Sequence, residues 1–231
     1  TAIGVVWAIL QPLLMMIVLG VFFGRVIGIQ TNDIPYPVFA FIGLLFWNYF
    51  SNSLASASNS LVVNQSIIQK IYFPRVILPL ASTMVFLLDF IIASSVLAGL
   101  MVYYRYMPLW YGFALLIPCL LITFLTFSGL GLGLAALNVK YRDVRYALPF
   151  FIQLLLFVTP VIYPLTLLGS HRWLWYLNPM SGVIDAMRVG LTGVGSINWE
   201  LLGASLGISI VVFFLGLLYF NKTEHYFADI V

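Results

Sequence analysis

The chain has 231 residues, 63% of them hydrophobic and only 7% charged, with a net charge of +3. A soluble domain carries about 25% charged residues, and a soluble fold of this length could not hide so much apolar surface, so lipid must cover the remainder. The small, scattered charge argues against nucleic acid as a partner, and a lone Cys119 excludes a disulfide framework or a cysteine metal cluster.

Six apolar stretches approach the roughly 20 residues that a spanning helix needs. They are Val5–Gly24, Val38–Leu61, Val76–Val102, Leu109–Leu137, Ala147–Tyr163 and Trp199–Phe220. All are apolar on every face, unlike the alternating strands of a barrel. The predicted fold is therefore an all-α integral membrane protein of about six transmembrane helices. Without a linker or repeat, 1–231 reads as a single transmembrane domain. Thr1 lies beside the first stretch with no basic leader or cleavage site, so no signal peptide is predicted. An amphipathic N-terminal segment is expected before it.

Alternation of sides groups Lys70, Arg75, Lys140, Arg142, Arg145 and Lys222 against Arg25, Arg105, Arg172 and Arg188. The larger basic group marks the cytosolic side. The second stretch crowds Phe39, Phe41, Phe46, Trp47, Tyr49 and Phe50 into its outer half. Ser51, Asn52, Ser53, Ser56, Ser58, Asn59 and Ser60 follow in its inner half. A membrane belt and close helix packing account for most such positions. Together, however, they offer hydroxyls, amides and flat rings to something polar within the membrane. Trp47, Tyr49, Phe50, Asn52 and Ser53 are the candidate lining.

The next loop, Asn64 to Arg75, reads as a short amphipathic helix with Ile67, Ile68, Ile71 and Tyr72 on one face, ended before Pro74. Such a helix either lies in the headgroups or docks into a groove on a soluble partner. Asp89 sits near the middle of the third stretch. A carboxylate there costs about 2.5–3.5 kcal/mol on insertion scales, so it is expected to face protein or water as a neutral or hydrogen-bonded structural group. Cys119 reads as a small core residue. Gly129 with Gly133, and Gly203 with Gly207, have helix-packing spacing. The run Gly129-Leu130-Gly131-Leu132-Gly133 lacks the Lys-Ser/Thr of a phosphate loop, so the chain has no visible ATP site of its own.

The charged loop Asn138 to Arg145 is either an interfacial anchor or a partner contact, with Asp143 expected to pair with Arg142 and Arg145. Beyond it, Pro160 and Pro164 break a helix twice. Asn178 and Pro179 supply an N-cap and a first-turn proline. Val183, Ile184, Met187 and Leu191 then form an apolar face, and Asp185 and Arg188 are spaced to pair. Helices too short to span point to re-entrant or interfacial elements around a cavity mouth.

These residues resemble a known family, the membrane subunits of type-two ABC exporters in the branch that exports O-antigen, capsule and teichoic acid chains. The resemblance rests on Leu10-Gln11-Pro12-Leu13, Pro35-Tyr36-Pro37, Lys70-Ile71-Tyr72-Phe73-Pro74-Arg75, Leu78-Pro79-Leu80, Ala136-Leu137-Asn138-Val139-Lys140-Tyr141-Arg142-Asp143-Val144, Thr159-Pro160-Val161-Ile162-Tyr163-Pro164 and Asn178-Pro179-Met180, in family order, closing at Phe227-Ala228-Asp229. The resemblance also implies an amphipathic gate helix before the first span.

The resemblance implies a homodimer lining a channel in the bacterial cytoplasmic membrane, in contact with membrane lipid. Its cargo would be a lipid-linked glycan, and a separate nucleotide-binding ATPase subunit would bind ATP and Mg. This chain would hold no cofactor and would not be an enzyme. The implied coupling residues are Ile67, Ile68, Lys70, Ile71, Tyr72, Phe73 and Arg75; Arg142 and Asp143 either touch the ATPase or brace their loop. Pro160, Tyr163, Pro164, Asn178, Pro179, Asp185 and Arg188 become the external gate.

Rival classes make different demands. An ion-coupled secondary transporter calls for paired intramembrane charges and repeated halves. An enzyme acting on lipid-linked sugars calls for facing acids or histidines, whereas His171 and His225 are predicted on opposite sides. A drug or lipid exporter of the same family is the nearest alternative.

Overall fold

The computed structural model describes residues 2–26, 28, 31, 34–68, 70, 73–141, 143–167 and 173–224. Expectations for Ile71, Tyr72, Arg142, His171, Arg172 and His225, and for the closing Phe227-Ala228-Asp229, lie outside the described residues.

Each of the six apolar stretches contains helix, but their lengths differ. Among the described residues, four helical segments are long and apolar enough to cross a membrane. These are α2 (Tyr36–Val63), the pair α4 (Ile77–Ala81) and α5 (Met84–Tyr103), α6 (Trp110–Lys140) and α10 (Trp199–Glu224). Between α4 and α5, the Ser82 and Thr83 hydroxyls donate to the carbonyls of Pro79 and Leu80, three residues back, which holds a turn in the helical path. The other two stretches are shorter. α1 (Ala2–Leu19) contains Pro12 and passes into a π-helical segment, Gly20–Val26. α7 (Val144–Val158) has 15 residues. It stops short of the expected Tyr163 because Pro160 forces Thr159 into extended backbone, φ −87 and ψ 140.

α2 forms the centre. Of its most apolar window, 83% is buried, against 22% for Ile77–Tyr103, so α2 is wrapped by its neighbours while the outer helices keep faces for lipid. Close approach at small residues sets the crossings. A Cβ added at Gly129 of α6 would lie 2.5 Å from the Phe213 Cα of α10, and Gly216 meets the Gly129 backbone from the other side. Gly131 abuts Ala57 of α2, where a Cβ would stand 2.7 Å from the alanine methyl. The expected Gly129/Gly133 seam is thus a real crossing. Gly203 and Gly207 behave differently: among the described residues, no atom outside their own helical turns lies within 4 Å of a Cβ built there, because α10 turns Ser205, not these glycines, toward Gly182. Spacing marks a smooth stripe without saying which stripe meets a partner. Cys119 is buried, as a core residue should be.

The bundle's two ends differ in chemistry. At one end Leu61, Ile68, Leu132, Ala135, Ala136, Val139 and Phe220 form an apolar cluster, covered by Phe73 and Val76. Arg75 closes it by donating from Nη1 to the Glu224 carbonyl at 2.8 Å, and Lys70, Lys140, Arg145 and Lys222 are exposed around it. At the other end the Tyr36 hydroxyl donates to the Ile162 carbonyl, 3.1 Å away, and Arg25 and Arg105 are exposed. Arg188, assigned from sequence to that sparser basic group, is buried. Removing it from the loop tally sharpens the basic bias of the first end. Single cysteines at Ser66 and Ser196, both exposed, in a Cys119→Ser background should therefore react with impermeant maleimide from opposite faces of sealed vesicles. Reaction of both from one face would reverse that topology.

Candidate functional site

Most of α2 is buried, and its half-covered positions include four polar ones beside Pro37, Ala55 and Val62. Asn48, Asn52, Ser56 and Asn59 are each only half-buried. Their spacing of four, four and three residues puts them in one stripe. Two adjoining cavities open along it, with Asn52 and Phe86 in both walls. The lower, about 390 Å³, runs toward the basic end past Ser56 and Asn59. The upper, about 270 Å³, is bounded by Asn48 and Asn52 of α2, Asp89 of α5 and Gln11 of α1, with the Trp7 and Phe86 rings beside them.

Local bonding distinguishes the two cavities. Ser56 Oγ donates to the Ser82 carbonyl, Asn59 donates to the Ala55 carbonyl, and Asn138 Nδ2 donates to Asn59 Oδ1. In the upper cavity, the side chains of Gln11, Asn48, Asn52 and Asp89 form no hydrogen bond with another described residue. Of the neutral or hydrogen-bonded carboxyl expected to face protein or water, the structure shows no hydrogen bond to a described residue: Asp89 lines the upper cavity.

A third cavity, about 480 Å³, lies on the opposite face of α2, against α6, α7 and the segment beyond it. Its walls carry Trp47 and Phe50, whose ring centres are 5.4 Å apart, and Tyr163 and Trp175, 5.8 Å apart. The sequence-derived lining is thus divided. Tyr49 and Asn52 line the upper groove, Trp47 and Phe50 line the ring-walled cavity, and Ser53 is 0% exposed with an unpartnered Oγ, away from both. Composition by helix halves missed Asn48 and Gln11, and Asp89 was read apart from them. The four-residue amide spacing of Asn48 and Asn52 was the available signal.

Beyond α7 come α8 (Trp173–Leu177) and α9 (Pro179–Thr192). Asn178 caps α9 as expected: its Oδ1 accepts from the Met180 N–H at 3.1 Å, while its Nδ2 donates to Thr159 Oγ1 at 2.8 Å. Pro179 sits in the first turn, and Gly193 ends the helix in left-handed backbone at φ 71. The Tyr163 hydroxyl donates to the Phe157 carbonyl at 2.6 Å, and Pro160 and Pro164 are buried.

An amphipathic α9 was expected, but it is covered on nearly every face. Only Pro179 and Asp185 are half-exposed. Arg188 explains much of this. Its Nε, Nη1 and Nη2 donate to the carbonyls of Phe39, Pro160 and Val161 at 3.2, 2.7 and 2.6 Å, and its guanidinium carbon lies 3.4 Å from the Phe39 ring centre. The guanidinium fork is spent on three carbonyls, not on the expected partner Asp185, because the chain leaving α7 presents carbonyls with no helical donor. Burial raises the Asp185 pKa against the pull of Arg188, and burial lowers that of Arg188 against Asp185 and Tyr36.

At the basic end, α3 (Gln65–Ile68) is a single turn. Ile67 is 43% exposed, whereas Ile68 is 8% exposed and packs in the apolar cluster. The two were expected on one docking face; a one-turn helix places such neighbours about 100° apart, and Ile68 has gone inward. Lys70 and Asp143 are exposed, Phe73 leans on the cluster, and Arg75 is tied to α10. Asp143 starts α7, its carbonyl accepting from the Tyr146 and Ala147 amides.

The family model for ABC-2 type transporters matches residues 1–192, so the chain belongs to that family. It is similar to the O-antigen export system permease protein RfbA of Klebsiella pneumoniae, at 28% identity over 99% of this chain and 88% of the relative. The protein of the same name from Myxococcus xanthus is 28% identical, over 98% of this chain and 87% of that one. The polysialic acid transport protein KpsM of Escherichia coli is 24% identical, over 96% and 86%. The chain is accordingly a multi-pass membrane protein of a transporter family.

Proposed function

We propose that this chain is the membrane subunit of an ATP-driven exporter that moves a lipid-linked polysaccharide of the O-antigen kind across the bacterial cytoplasmic membrane. The observation that carries this is the amide and hydroxyl stripe on α2, left half-open in a largely buried helix and facing two cavities in series. An unpaired hydroxyl transferred into an apolar medium costs about 2–7 kcal/mol. A glycan therefore needs a continuous series of hydrogen-bonding partners through the bilayer, which the stripe supplies. Ring faces such as Tyr49, Phe86 and Trp7 suit the apolar faces of sugar rings.

In this reading α1 and α7 cross the membrane with the four longer segments, giving six spans, and two copies meet to complete the passage. ATP and Mg belong to a separate ATPase subunit that docks at α3, Lys70 and Asp143. The proline-broken segment with α8 and α9 forms the external gate, re-entrant because α9 is too short to span. Relatives named for O-antigen export, aligned over nearly the whole chain, support the substrate class.

The test is the double variant Asn48→Leu/Asn52→Leu, scored by surface glycan per ATPase-bound, membrane-inserted protein. Export should fall at least about tenfold, since each leucine removes a partner that a sugar hydroxyl needs. Trp47→Ala, on the other face of α2, should have the smaller effect. Export that merely tracks protein amount in every variant would remove the stripe from the path.

A further inference from the structure

We infer that the groove along α2 is selective for uncharged glycans over polyanionic ones, with Asp89 as the discriminating residue. This rests on reading the groove as the glycan path, and it narrows the substrate class.

The inference starts from charge. Asp89 is the one ionisable acid lining either groove cavity, and neither lysine nor arginine lines them among the described residues. Exposed cations lie at the bundle ends, at Lys70, Lys140, Arg145 and Lys222 on one side and Arg25 and Arg105 on the other. Arg188, the buried cation of α9, is bound to three carbonyls. A sugar carboxylate in the groove would therefore find a like charge and no counter-charge. With Asp89 ionised, a separation of about 6 Å and an effective dielectric of about 20 make that repulsion roughly a hundredfold loss of affinity.

The same wall suits a neutral sugar. The two oxygens of Asp89 can accept from neighbouring hydroxyls. The amides of Gln11, Asn48 and Asn52 each donate and accept, matching a hydroxyl that does both. All four side chains lack a described protein partner, so their hydrogen-bonding capacity is free for a ligand. The cavity, about 270 Å³, is large enough for a pyranose ring, with Trp7 and Phe86 beside it.

Binding of fluorescent oligosaccharides to the full chain in lipid nanodiscs tests this, with a neutral mannose hexamer and a sialic acid hexamer as probes. The wild-type chain should bind the neutral hexamer at least about tenfold tighter. Asp89→Asn, of the same shape, should bring the acidic hexamer within about threefold of the neutral one, and Asp89→Lys should reverse the preference. Asn52→Leu should weaken neutral binding about tenfold with no change in the ratio. Equal binding of both hexamers by the wild type, or discrimination unchanged in Asp89→Asn, overturns the selectivity. If Asn52→Leu still weakens neutral binding in that case, the path reading stands alone. Neutral binding that is absent, or indifferent to Asn52→Leu, overturns both.

Discussion

Replacing Arg188 with methionine is expected to destabilise the purified protein by about 3–5 kcal/mol, the range for removing one partner from a buried charged network. Methionine fills much of the space and keeps the apolar stem, so the loss reports on the guanidinium. The carbonyls of Phe39, Pro160 and Val161 lose their shared donor, and the Phe39 ring loses its cation. Arg188→Lys should be intermediate, because an ammonium keeps the charge but cannot fork to three acceptors on two separate elements. Thermal unfolding in detergent, followed beside labelling of a cysteine at the exposed Thr166, would measure both stability and the anchoring of the chain after α7. Wild-type melting and wild-type labelling in Arg188→Met would show that α9 stays seated without the clamp.

The second large effect separates two adjacent isoleucines. Ile68→Glu places an unpaired carboxylate among Leu61, Leu132 and Phe220, and a buried unpaired charge costs several kcal/mol. Folded yield should collapse, with or without an ATPase partner present. Ile67→Glu, at a 43% exposed position, should leave yield and melting near wild type. If α3 docks on the ATPase, it should nevertheless reduce co-purification of that subunit severalfold and lower export. Normal yield for Ile68→Glu would contradict its burial, and undiminished co-purification with Ile67→Glu would remove Ile67 from the docking surface.

Both contrasts mark the limit of what the sequence discloses. Long apolar runs identify α2, α5, α6 and α10 because a bilayer demands length and hydrophobicity along the chain. The Asn178-Pro179 start of α9 was equally legible, since capping is chemistry between neighbours. Arg188 was not, because its partners at Phe39, Pro160 and Val161 come from elements far away in the chain. Ile67 and Ile68 were misread as one face because periodicity assumes a helix longer than one turn. Trp47 and Asn52 were read together for a related reason: a list of residue types along α2 does not show that the two face opposite cavities.

The unequal covering of α2 also bears on how the protein is made. α2 is the least apolar of the four long segments, yet the most enclosed by its neighbours. Its stripe of amides and hydroxyls would meet acyl chains if it entered the bilayer alone, and polar groups weaken partitioning from the translocon most when they lie near the centre of a segment. Stable residence of α2 thus depends on shelter from segments synthesised later, α5, α6 and α9. Biogenesis would then follow two stages: the strongly apolar helices settle first, and α2 is secured as they close around it. The polarity that equips α2 for cargo makes it the last helix to gain a secure place in the membrane.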